Sequence, residues 1–474
     1  IEDSHILHSS VFSTMEVLDS TLNIKNSHIA NNDTGTETGV RAGLRLHNNA
    51  KVDFQHGSIT STEQSLELIS SEFTGDDLTL TSVRDRTIQS TQGSKVTLTN
   101  SKLAGTVGVY SESSTLTLTD VDINLEASPT PIYFGYGLWL QNAWNCTGTC
   151  GTAQLTRTNI ETKGDEAYAI SMSAGAHATI DDSTLTTHGD KALGIYVAGA
   201  TTSKAPSTLT MTGGEIATSG KESHGVLVRN GNDKKVNRVV LKDMKIANSG
   251  EYSAALGVWE GASLEATNIT VNSSGLNSDI FYLRDGSAQL RNKLTVRDST
   301  LVNSQGNAIY GHGFSDILLQ NSTVTAKGRL LTAYSGADIR MDLDKTTATG
   351  DIKAAGDASV TLSLLNASRL TGAVSGVNDF KHEGSVWVVT GDSDVKTLRN
   401  AGEITFDEQG SAGRTLTVKG DYVSDNGLLS LLTRLGDDSS VTDRLVVEGS
   451  TAGETRLRII NDGGLGAETR DGIR

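Results

Sequence analysis

The stretch Ala178-Thr-Ile-Asp-Asp-Ser-Thr-Leu185 recurs along the chain, as Thr208-Leu-Thr-Met-Thr-Gly-Gly-Glu-Ile216, Val239-Val-Leu-Lys-Asp-Met-Lys-Ile246 and Lys293-Leu-Thr-Val-Arg-Asp-Ser-Thr-Leu301. Each copy begins with a strand in which apolar and polar residues alternate. A polar pair follows, and then an apolar residue. The equivalent residues Asp182, Gly213, Asp243 and Asp298 are 31, 30 and 55 residues apart, and the last gap holds a further copy at Ala266-Thr-Asn-Ile269. A period of this order indicates a repeat architecture.

A second short strand stands between the copies, at 194–197, 225–228, 256–259 and 280–283. No helical apolar spacing is present, and the turns are rich in Gly, Asn, Asp and Ser. One such unit cannot bury its own apolar face, so successive units must stack with their strands parallel. The sequence therefore predicts an all-β fold, a right-handed parallel β-helix with three strands per turn. Ile, Leu and Val are expected to point inward, and Thr, Ser, Lys and Asp outward.

The composition agrees with this prediction and excludes some functions. The 474 residues include 50 Gly and 3 Pro. Many Gly suit a fold with many tight bends, and few Pro are expected because Pro removes a backbone N–H donor from the strand ladder. A net charge of −16 argues against general binding to nucleic acid or to an anionic membrane. No apolar run approaches the length of a membrane span, and no signal peptide is visible, which predicts a mature or trimmed form. No cofactor or metal is expected.

The two cysteines lie close together in Asn145-Cys-Thr-Gly-Thr-Cys-Gly151. The flanks lack further zinc ligands, and a redox pair normally has two intervening residues rather than three. A structural disulfide between Cys146 and Cys150 is the favoured interpretation, with a redox pair as the alternative. Such a disulfide indicates an oxidising, extracytoplasmic compartment.

Loops interrupt the repeat at 127–152, 201–207, 230–238 and 285–293. The first holds five aromatic residues, and Tyr133 and Trp144 are candidates for a platform that contacts a sugar ring or a protein partner. The alternative is that these aromatics pack the base of the loop. This alternative is favoured, because a long loop needs a small core of its own to be ordered.

The later loops follow the second strand at a recurring place, so a β-helix would stack them into one ridge. That ridge is rich in basic residues, which are Lys204, Arg229, Lys234, Lys235, Arg238, Arg284, Arg291 and Lys293. These side chains are candidates for binding the anionic groups of a sulfated or carboxylated polysaccharide. The alternative is that they only solubilise the rod, since Asp233 and Asp285 lie among them.

A third, polar column comes from the turns before the second strand, at 163–166, 188–191, 221–224 and 249–252. This column could form polar contacts between two rods, but simple solvation is the favoured interpretation. Catalysis is not expected. Gly311-His-Gly-Phe314 resembles a polygalacturonase fragment, but Asp181 and Asp182 lie several turns away and the basic motif of that family is missing. A polysaccharide lyase or hydrolase is a remote alternative.

The segment 380–474 carries five ordered motifs, which are Trp387-Val-Val-Thr-Gly391, Leu398-Arg-Asn-Ala-Gly-Glu-Ile-Thr-Phe406, Thr415-Leu-Thr-Val-Lys-Gly-Asp-Tyr422, Asp443-Arg-Leu-Val-Val447 and Asn461-Asp-Gly-Gly464. This segment resembles the C-terminal passenger module of pertactin-like autotransporters. The repeats before it are similar to such passengers in style. The chain is accordingly divided into a β-helix at 1–379 and an autochaperone-like cap at 380–474.

The resemblance implies export through the periplasm and outer membrane of a Gram-negative bacterium, and anchoring of the full-length protein by its own C-terminal β-barrel beyond Arg474. It also implies that the cap folds first and templates the other turns. Many such passengers are adhesins. The predicted function is a surface adhesin that binds a host extracellular-matrix ligand, a glycosaminoglycan or a glycoprotein such as fibronectin, through a loop-lined face. The alternative is a self-associating protein that drives cell aggregation and biofilm formation.

Overall fold

The structure is a computed structural model that describes residues 1–33, 41–127, 135–143, 145–148, 150–199, 205–231 and 235–473. The chain divides into two compact units, Ile1–Glu265 and Ala266–Arg474. In the described ranges the secondary structure consists of 41 strands, with no helix.

The strands of the first unit are β1 (His5–His8), β2 (Met15–Leu18), β3 (Thr21–Asn31), β4 (Leu44–His47), β5 (Lys51–Ser61), β6 (Leu66–Ile69), β7 (Glu72–Ser82), β8 (Arg86–Thr91), β9 (Lys95–Thr99), β10 (Lys102–Gly105), β11 (Val107–Glu112), β12 (Thr115–Thr119), β13 (Asp122–Leu125), β14 (Leu138–Gln141), β15 (Thr152–Thr156), β16 (Asn159–Thr162), β17 (Ile170–Ser173), β18 (His177–Thr187), β19 (Ile195–Val197), β20 (Thr208–Thr218), β21 (Val226–Arg229), β22 (Arg238–Lys242), β23 (Lys245–Asn248) and β24 (Ala254–Trp259).

The unit boundary falls within β25 (Ser263–Thr267). The strands of the second unit are β26 (Thr270–Ser273), β27 (Asp279–Gly286), β28 (Asn292–Arg297), β29 (Thr300–Asn303), β30 (Asn307–Gln320), β31 (Thr323–Ala333), β32 (Asp338–Asp344), β33 (Thr347–Ala354), β34 (Ser359–Leu365), β35 (Arg369–Thr371), β36 (Val374–Val389), β37 (Ser393–Phe406), β38 (Thr415–Val418), β39 (Tyr422–Thr433), β40 (Arg444–Val447) and β41 (Thr451–Asn461).

Each turn of the repeat supplies three strand segments. In the first unit, His177 pairs with Thr208 and Ser183 with Gly214, both between β18 and β20. Ile195 of β19 pairs with Val226 of β21 at the same sequence offset. These pairings are parallel, as are the strand pairings within the second unit from β26–β29 to β39–β41. The predicted parallel β-helix with three strands per turn is confirmed.

The polar residue that marks each repeat adopts a left-handed backbone conformation. In the quoted copies, φ is 47° at Asp182, 74° at Gly213 and 52° at Asp243. Asn, Asp and Gly tolerate this region best, because their side chains are absent or bond locally. Positive φ values recur at the equivalent residue of other turns in both units, at Asn26, His56, Asp77, Asn100, Asp120, Arg157, Asn268, Asp298, Asn321, Lys345 and Asn366. The chain bends at this residue, which divides the first strand segment of a turn from the next one and is called the corner.

The residue after this corner is often a buried Ser or Thr, and its hydroxyl accepts a backbone N–H from the preceding turn. The Ser183 hydroxyl accepts from Thr158 N at 3.0 Å in the first unit. In the second unit, Ser322 accepts from Ser299 N at 3.1 Å and Ser368 from Thr346 N at 3.0 Å. A buried N–H without a partner is costly, so these hydroxyls allow the strand to bend at the corner.

Aliphatic columns fill the interior of each unit. Leu98, Leu118, Leu155, Ile180, Met211 and Leu241 form one inward column, and each is 0% exposed. In the second unit, Leu319, Leu343 and Leu364 are likewise fully buried and stand in register. Within each unit the outward positions that alternate with these columns are the ones available for binding.

A buried carboxylate orders the last turns of the second unit. Asp443 is almost fully buried, and its Oδ1 accepts the backbone N–H groups of Gly413 at 3.0 Å and Arg414 at 2.9 Å. Its Oδ2 accepts from Leu432 N at 3.0 Å. Asp443 begins one of the five C-terminal sequence motifs, so that motif has a structural role here. The division of the chain at residue 380 stays a prediction.

Candidate functional site

A strip of aromatic rings lies on the second-strand face of the first unit. Tyr110, Trp139 and Tyr196 occupy the middle of β11, β14 and β19, and the ladder pairs Tyr110 with Trp139. Their neighbours along the strands, such as Leu138 and Leu140, are fully buried, so strand alternation directs the rings outward. Two further rings precede their strands by two residues. The aromatic strip is defined as Tyr110, Tyr136, Trp139, Tyr168 and Tyr196.

The rings of the aromatic strip contact one another in sequence from turn to turn. The Tyr110 and Tyr136 ring centroids lie 5.0 and 5.6 Å from that of Trp139, in edge-to-face geometry. Tyr136 stacks on Tyr168 at 4.9 Å, and Tyr168 meets Tyr196 edge-on at 5.4 Å. All five residues are partly buried. Mutual packing therefore fixes the rings before any ligand arrives.

Polar groups flank one end of the aromatic strip. The Tyr110 hydroxyl donates to Glu112 Oε2 at 2.8 Å, and Gln141 Nε2 donates to both oxygens at 2.9 Å. Burial, and next the hydrogen bond to the Glu112 carboxylate, raises the pKa of Tyr110 to about 12. The hydroxyl therefore stays protonated at neutral pH. The Arg86 guanidinium lies 5.0 Å from the Tyr110 ring centroid.

The other end of the aromatic strip meets one of the predicted basic residues. The Arg229 guanidinium lies beside the Tyr196 side chain and donates to Glu260 Oε2 at 3.1 Å. It also lies 5.9 Å from the Trp259 ring centroid. The positive charge of Arg229 is therefore already paired with a carboxylate.

The second unit has its own aromatic cluster. Tyr282 of β27 meets Tyr310 of β30 edge-on at 4.7 Å, and Tyr310 stacks on Tyr334 at 4.3 Å. Asp279, at the start of β27, accepts a hydrogen bond from Asn307 Nδ2 at 3.3 Å. Burial raises the pKa of Asp279 to about 7, against an ordinary value of 3.8. The tyrosine–aspartate site is defined as Asp279, Tyr282, Tyr310 and Tyr334.

The other predicted basic residues are mostly engaged with acids. Arg238 pairs with Glu265 at 2.7 Å, and Arg284 pairs with Asp285 at 2.8 Å. Arg291 is largely buried, with a side chain 11% exposed, and pairs with Asp316 at 2.7 Å and Asp338 at 2.9 Å. Arg291 therefore forms ion pairs within the fold.

Two lysines complete the described part of the predicted set. Lys235 is partly buried, and Lys293 is exposed beside a groove of about 300 Å³ that is lined by polar and apolar residues, including Asp316, Arg340 and Asp342. Arg238 and Lys293 belong to strands β22 and β28 rather than to the loops. Lys204, Lys234, Tyr133 and Trp144 lie outside the described residues, so both interpretations of the aromatic loop stay open for Tyr133 and Trp144.

The predicted disulfide between Cys146 and Cys150 is confirmed. His312, from the fragment that resembles polygalacturonases, lies with its Nδ1 3.6 Å from Asp285 Oδ1 on the surface. Among the described residues, no three His, Cys, Asp or Glu side chains are grouped so as to hold a metal ion. The part of the chain that the structure describes also has no helix long and apolar enough to cross a membrane.

Sequence reasoning missed most of the rings on this face. The signal was an aromatic residue in or next to the second strand, visible in Val107-Gly-Val-Tyr110, Gly194-Ile-Tyr-Val197, Ile280-Phe-Tyr-Leu283 and Ala308-Ile-Tyr310. The polar partners Glu112, Gln141 and Asp279 could not be recognised in the sequence, because their roles depend on residues that lie near them only in the folded structure.

Comparisons with known proteins agree with the fold and show similarity to autotransporter proteins. Residues 393–474 match the family described as Autochaperone Domain Type 1. The chain is 39% identical over 119 residues to the adhesin BmaC autotransporter of Brucella suis, a match covering 25% of this chain and 3% of BmaC. It is 25% identical over 327 residues to the BrkA autotransporter of Bordetella pertussis, covering 67% of this chain and 30% of BrkA.

One solved structure has a similar fold over nearly the whole chain. A chain of the cryo-EM structure of the Vag8–C1 inhibitor complex superimposes with a TM-score of 0.54 and 13% identity, covering 97% of this chain and 99% of that one. The parallel β-helix and the match over residues 393–474 together make the chain similar to the passenger domains of pertactin-like autotransporters, which are secreted through the outer membrane and exposed outside the cell.

Proposed function

We propose that this passenger is an adhesin that binds a glycoprotein of the host extracellular matrix, and that the aromatic strip contacts the sugar rings of that ligand. The observation that carries the proposal is the run of five rings with Glu112 and Gln141 at one end and Arg229 at the other. Aromatic faces pack against the apolar C–H faces of sugars, while carboxylate, amide and guanidinium groups bond their hydroxyls.

The geometry favours a weakly charged sugar over a sulfated glycosaminoglycan. Arg229, Arg238, Arg284 and Arg291 all pair with carboxylates, so little positive charge is left to hold sulfate groups. The net charge of −16 also repels a polyanion at long range. Sulfated chains gripped by Lys235 and Lys293 remain the competing ligand class.

The relatives support the adhesin role in a general way. BmaC is named an adhesin, and so is AIDA-I of Escherichia coli, which is 46% identical to this chain over 63 residues. The structural neighbour is known in a complex with C1 inhibitor, which is consistent with a protein or glycoprotein partner for this chain. The chain spans only 3% and 5% of BmaC and AIDA-I, so ligands of the whole protein are part of the proposal.

The deciding experiment measures binding of the purified chain to fibronectin and other matrix glycoproteins, before and after enzymatic deglycosylation, and to neutral and sulfated glycan arrays. We expect binding that deglycosylation abolishes and that changes little between low and physiological salt. Trp139→Ala should weaken it strongly. Tyr252→Ala is the matched control, because Tyr252 is an exposed aromatic residue of the first unit outside the aromatic strip.

Three results would contradict the proposal. Binding that salt removes, and that Lys235→Glu and Arg238→Glu abolish while Trp139→Ala does not, would assign the ligand to sulfated glycans on the loops. Equal loss in Trp139→Ala and Tyr252→Ala would show that the aromatic strip has no specific role. No binding to any of the ligands, together with dimers in analytical ultracentrifugation, would favour self-association.

A further inference from the structure

We propose that the tyrosine–aspartate site of the second unit receives a basic side chain, Lys or Arg, from a protein partner. This inference goes beyond the sugar-binding role of the first unit, because it assigns another ligand chemistry to other residues. The three tyrosine rings supply π faces, and the Asp279 carboxylate supplies the counter-charge. A cation lying over aromatic rings beside a carboxylate gains both kinds of attraction.

No Lys or Arg among the described residues of the second unit is paired with Asp279. Its single hydrogen bond from the described residues comes from Asn307 Nδ2, at 3.3 Å, near the long limit for such a bond. The orientation of the Asn307 amide is set from the other side, because Asn307 Oδ1 accepts the backbone N–H of Arg329 at 2.9 Å. The amide therefore presents its NH₂ group to the carboxylate, and this one neutral donor is what the part of the chain that the structure describes supplies to Asp279.

The nearby arginine is paired with a different acid. Arg284 ion-pairs with Asp285 at 2.8 Å, and its guanidinium also interacts with the Tyr282 and Tyr310 side chains. Arg284 thus lies beside the rings of the site, while its charge is paired with Asp285 rather than with Asp279. The burial that raises the pKa of Asp279 shows that its negative charge is poorly solvated. A cationic group that arrived there would relieve this cost, which is a gain that a neutral ligand cannot provide.

The rings are accessible to a long side chain. Tyr334 is 40% exposed and stacks on Tyr310, so the outer part of the cluster faces solvent. Lys and Arg side chains also bring an alkyl stem that can lie along the tyrosine rings while the charged head reaches the carboxylate. The net charge of −16 raises the local concentration of basic segments near this surface.

The test uses the purified chain with Nα-acetyl-lysine methylamide, Nα-acetyl-arginine methylamide and the neutral analogue Nα-acetyl-norleucine methylamide, observed by saturation-transfer NMR. We expect saturation of both basic probes and none of norleucine. Asp279→Asn should weaken the basic probes about tenfold or more, because the counter-charge is lost. Tyr334→Leu should also weaken them. Asp342→Asn is the matched control, since it removes an exposed carboxylate of the same unit and should change nothing.

Several outcomes would overturn the inference. Norleucine binding as well as lysine would reduce the site to an apolar patch. Basic probes that bind Asp279→Asn and wild type equally, or that weaken equally with Asp342→Asn, would show only the general acidity of the protein. Trp139→Ala in the first unit should leave the basic probes unaffected. Failure of this site is thus distinguishable from failure of the sugar-binding proposal.

Discussion

The aromatic strip of the first unit and the tyrosine–aspartate site of the second use the same strand of the repeat, but they satisfy their carboxylates differently. Glu112 accepts hydrogen bonds from the Tyr110 hydroxyl at 2.8 Å and the Gln141 amide at 2.9 Å. Asp279 accepts one bond, at 3.3 Å, from Asn307. A carboxylate with short donors is stabilised within the fold, whereas one with a single long donor gains most from a ligand that carries charge.

The two clusters also share a feature. In each, an arginine lies beside a terminal tyrosine and is paired with an acid, Arg229 with Glu260 and Arg284 with Asp285. The repeat thus places tyrosine, arginine and acid together twice, in different sequence contexts. What distinguishes the clusters chemically is the carboxylate of each, Glu112 in the first unit and Asp279 in the second, and substitutions within the two clusters test that difference.

The largest expected effect comes from removing a ring at the centre of the aromatic strip. Tyr168→Ala deletes contacts to Tyr136 at 4.9 Å and Tyr196 at 5.4 Å and exposes their edges. We expect the free energy of unfolding to fall by about 3 kcal/mol, measured by urea denaturation followed by circular dichroism. Tyr310→Ala removes two ring contacts in the second unit and should cost a similar amount.

The matched control for the central ring is Tyr168→Phe. No described residue hydrogen-bonds the Tyr168 hydroxyl, so the ring alone should matter, and this variant should stay within about 0.5 kcal/mol of wild type. A large loss in Tyr168→Phe, or none in Tyr168→Ala, would show that ring packing does not hold the aromatic strip together.

A smaller effect, of opposite sign, is expected at Asp279. Its pKa is raised to about 7 in the folded protein, against 3.8 ordinarily, so the fold disfavours the ionised form. Well below pH 3.8 both states are protonated and no penalty exists. The penalty grows as pH rises towards 7 and is complete above it. The full shift corresponds to about 4 kcal/mol, and Asp279→Asn should recover about half of this, roughly 2 kcal/mol at pH 8, because the Asn amide is itself a partly buried polar group. Near pH 3.5 the two proteins should be almost equally stable.

The pH dependence of this difference is the informative measurement, because other carboxylates titrate identically in both proteins. Paired urea titrations at pH 3.5, 6 and 8 would show it. A variant that is less stable than wild type at pH 8 would mean that the Asp279 carboxylate is well satisfied after all, and the contrast with Glu112 would vanish.

The fold was predictable from sequence because one short pattern sets both the period and the corner. The repeated Asp or Gly at positions 182, 213, 243 and 298 needed only the tolerance of these residues for left-handed backbone, and φ is positive at all four. Alternation then fixed which residues point inward. These are local properties, readable without knowing the register between turns.

The binding faces were harder to predict because they depend on that register. Tyr110 meets Trp139 only because their strands align across a turn that includes the 127–152 loop, whose length no local rule supplies. The arginines show the same limit. Arg291 looked like a solvent-facing ligand residue, yet Asp316 and Asp338 reach it from later turns and enclose its guanidinium. Charge counted along the chain does not reveal charge already paired in space.

The smallest and sharpest prediction replaces Glu112 with Gln. This change keeps the shape but removes the charge that accepts hydrogen bonds from the Tyr110 hydroxyl and the Gln141 amide. Charge-assisted bonds are stronger than neutral ones, so stability at pH 7 should fall by about 1 kcal/mol. The same charge-removing substitution is thus expected to destabilise the first unit at Glu112 and to stabilise the second at Asp279. If urea titrations at neutral pH gave changes of one sign at both positions, the two carboxylates would not be in different states, and the separate assignments of a sugar and a basic side chain to the two units would lose their physical basis.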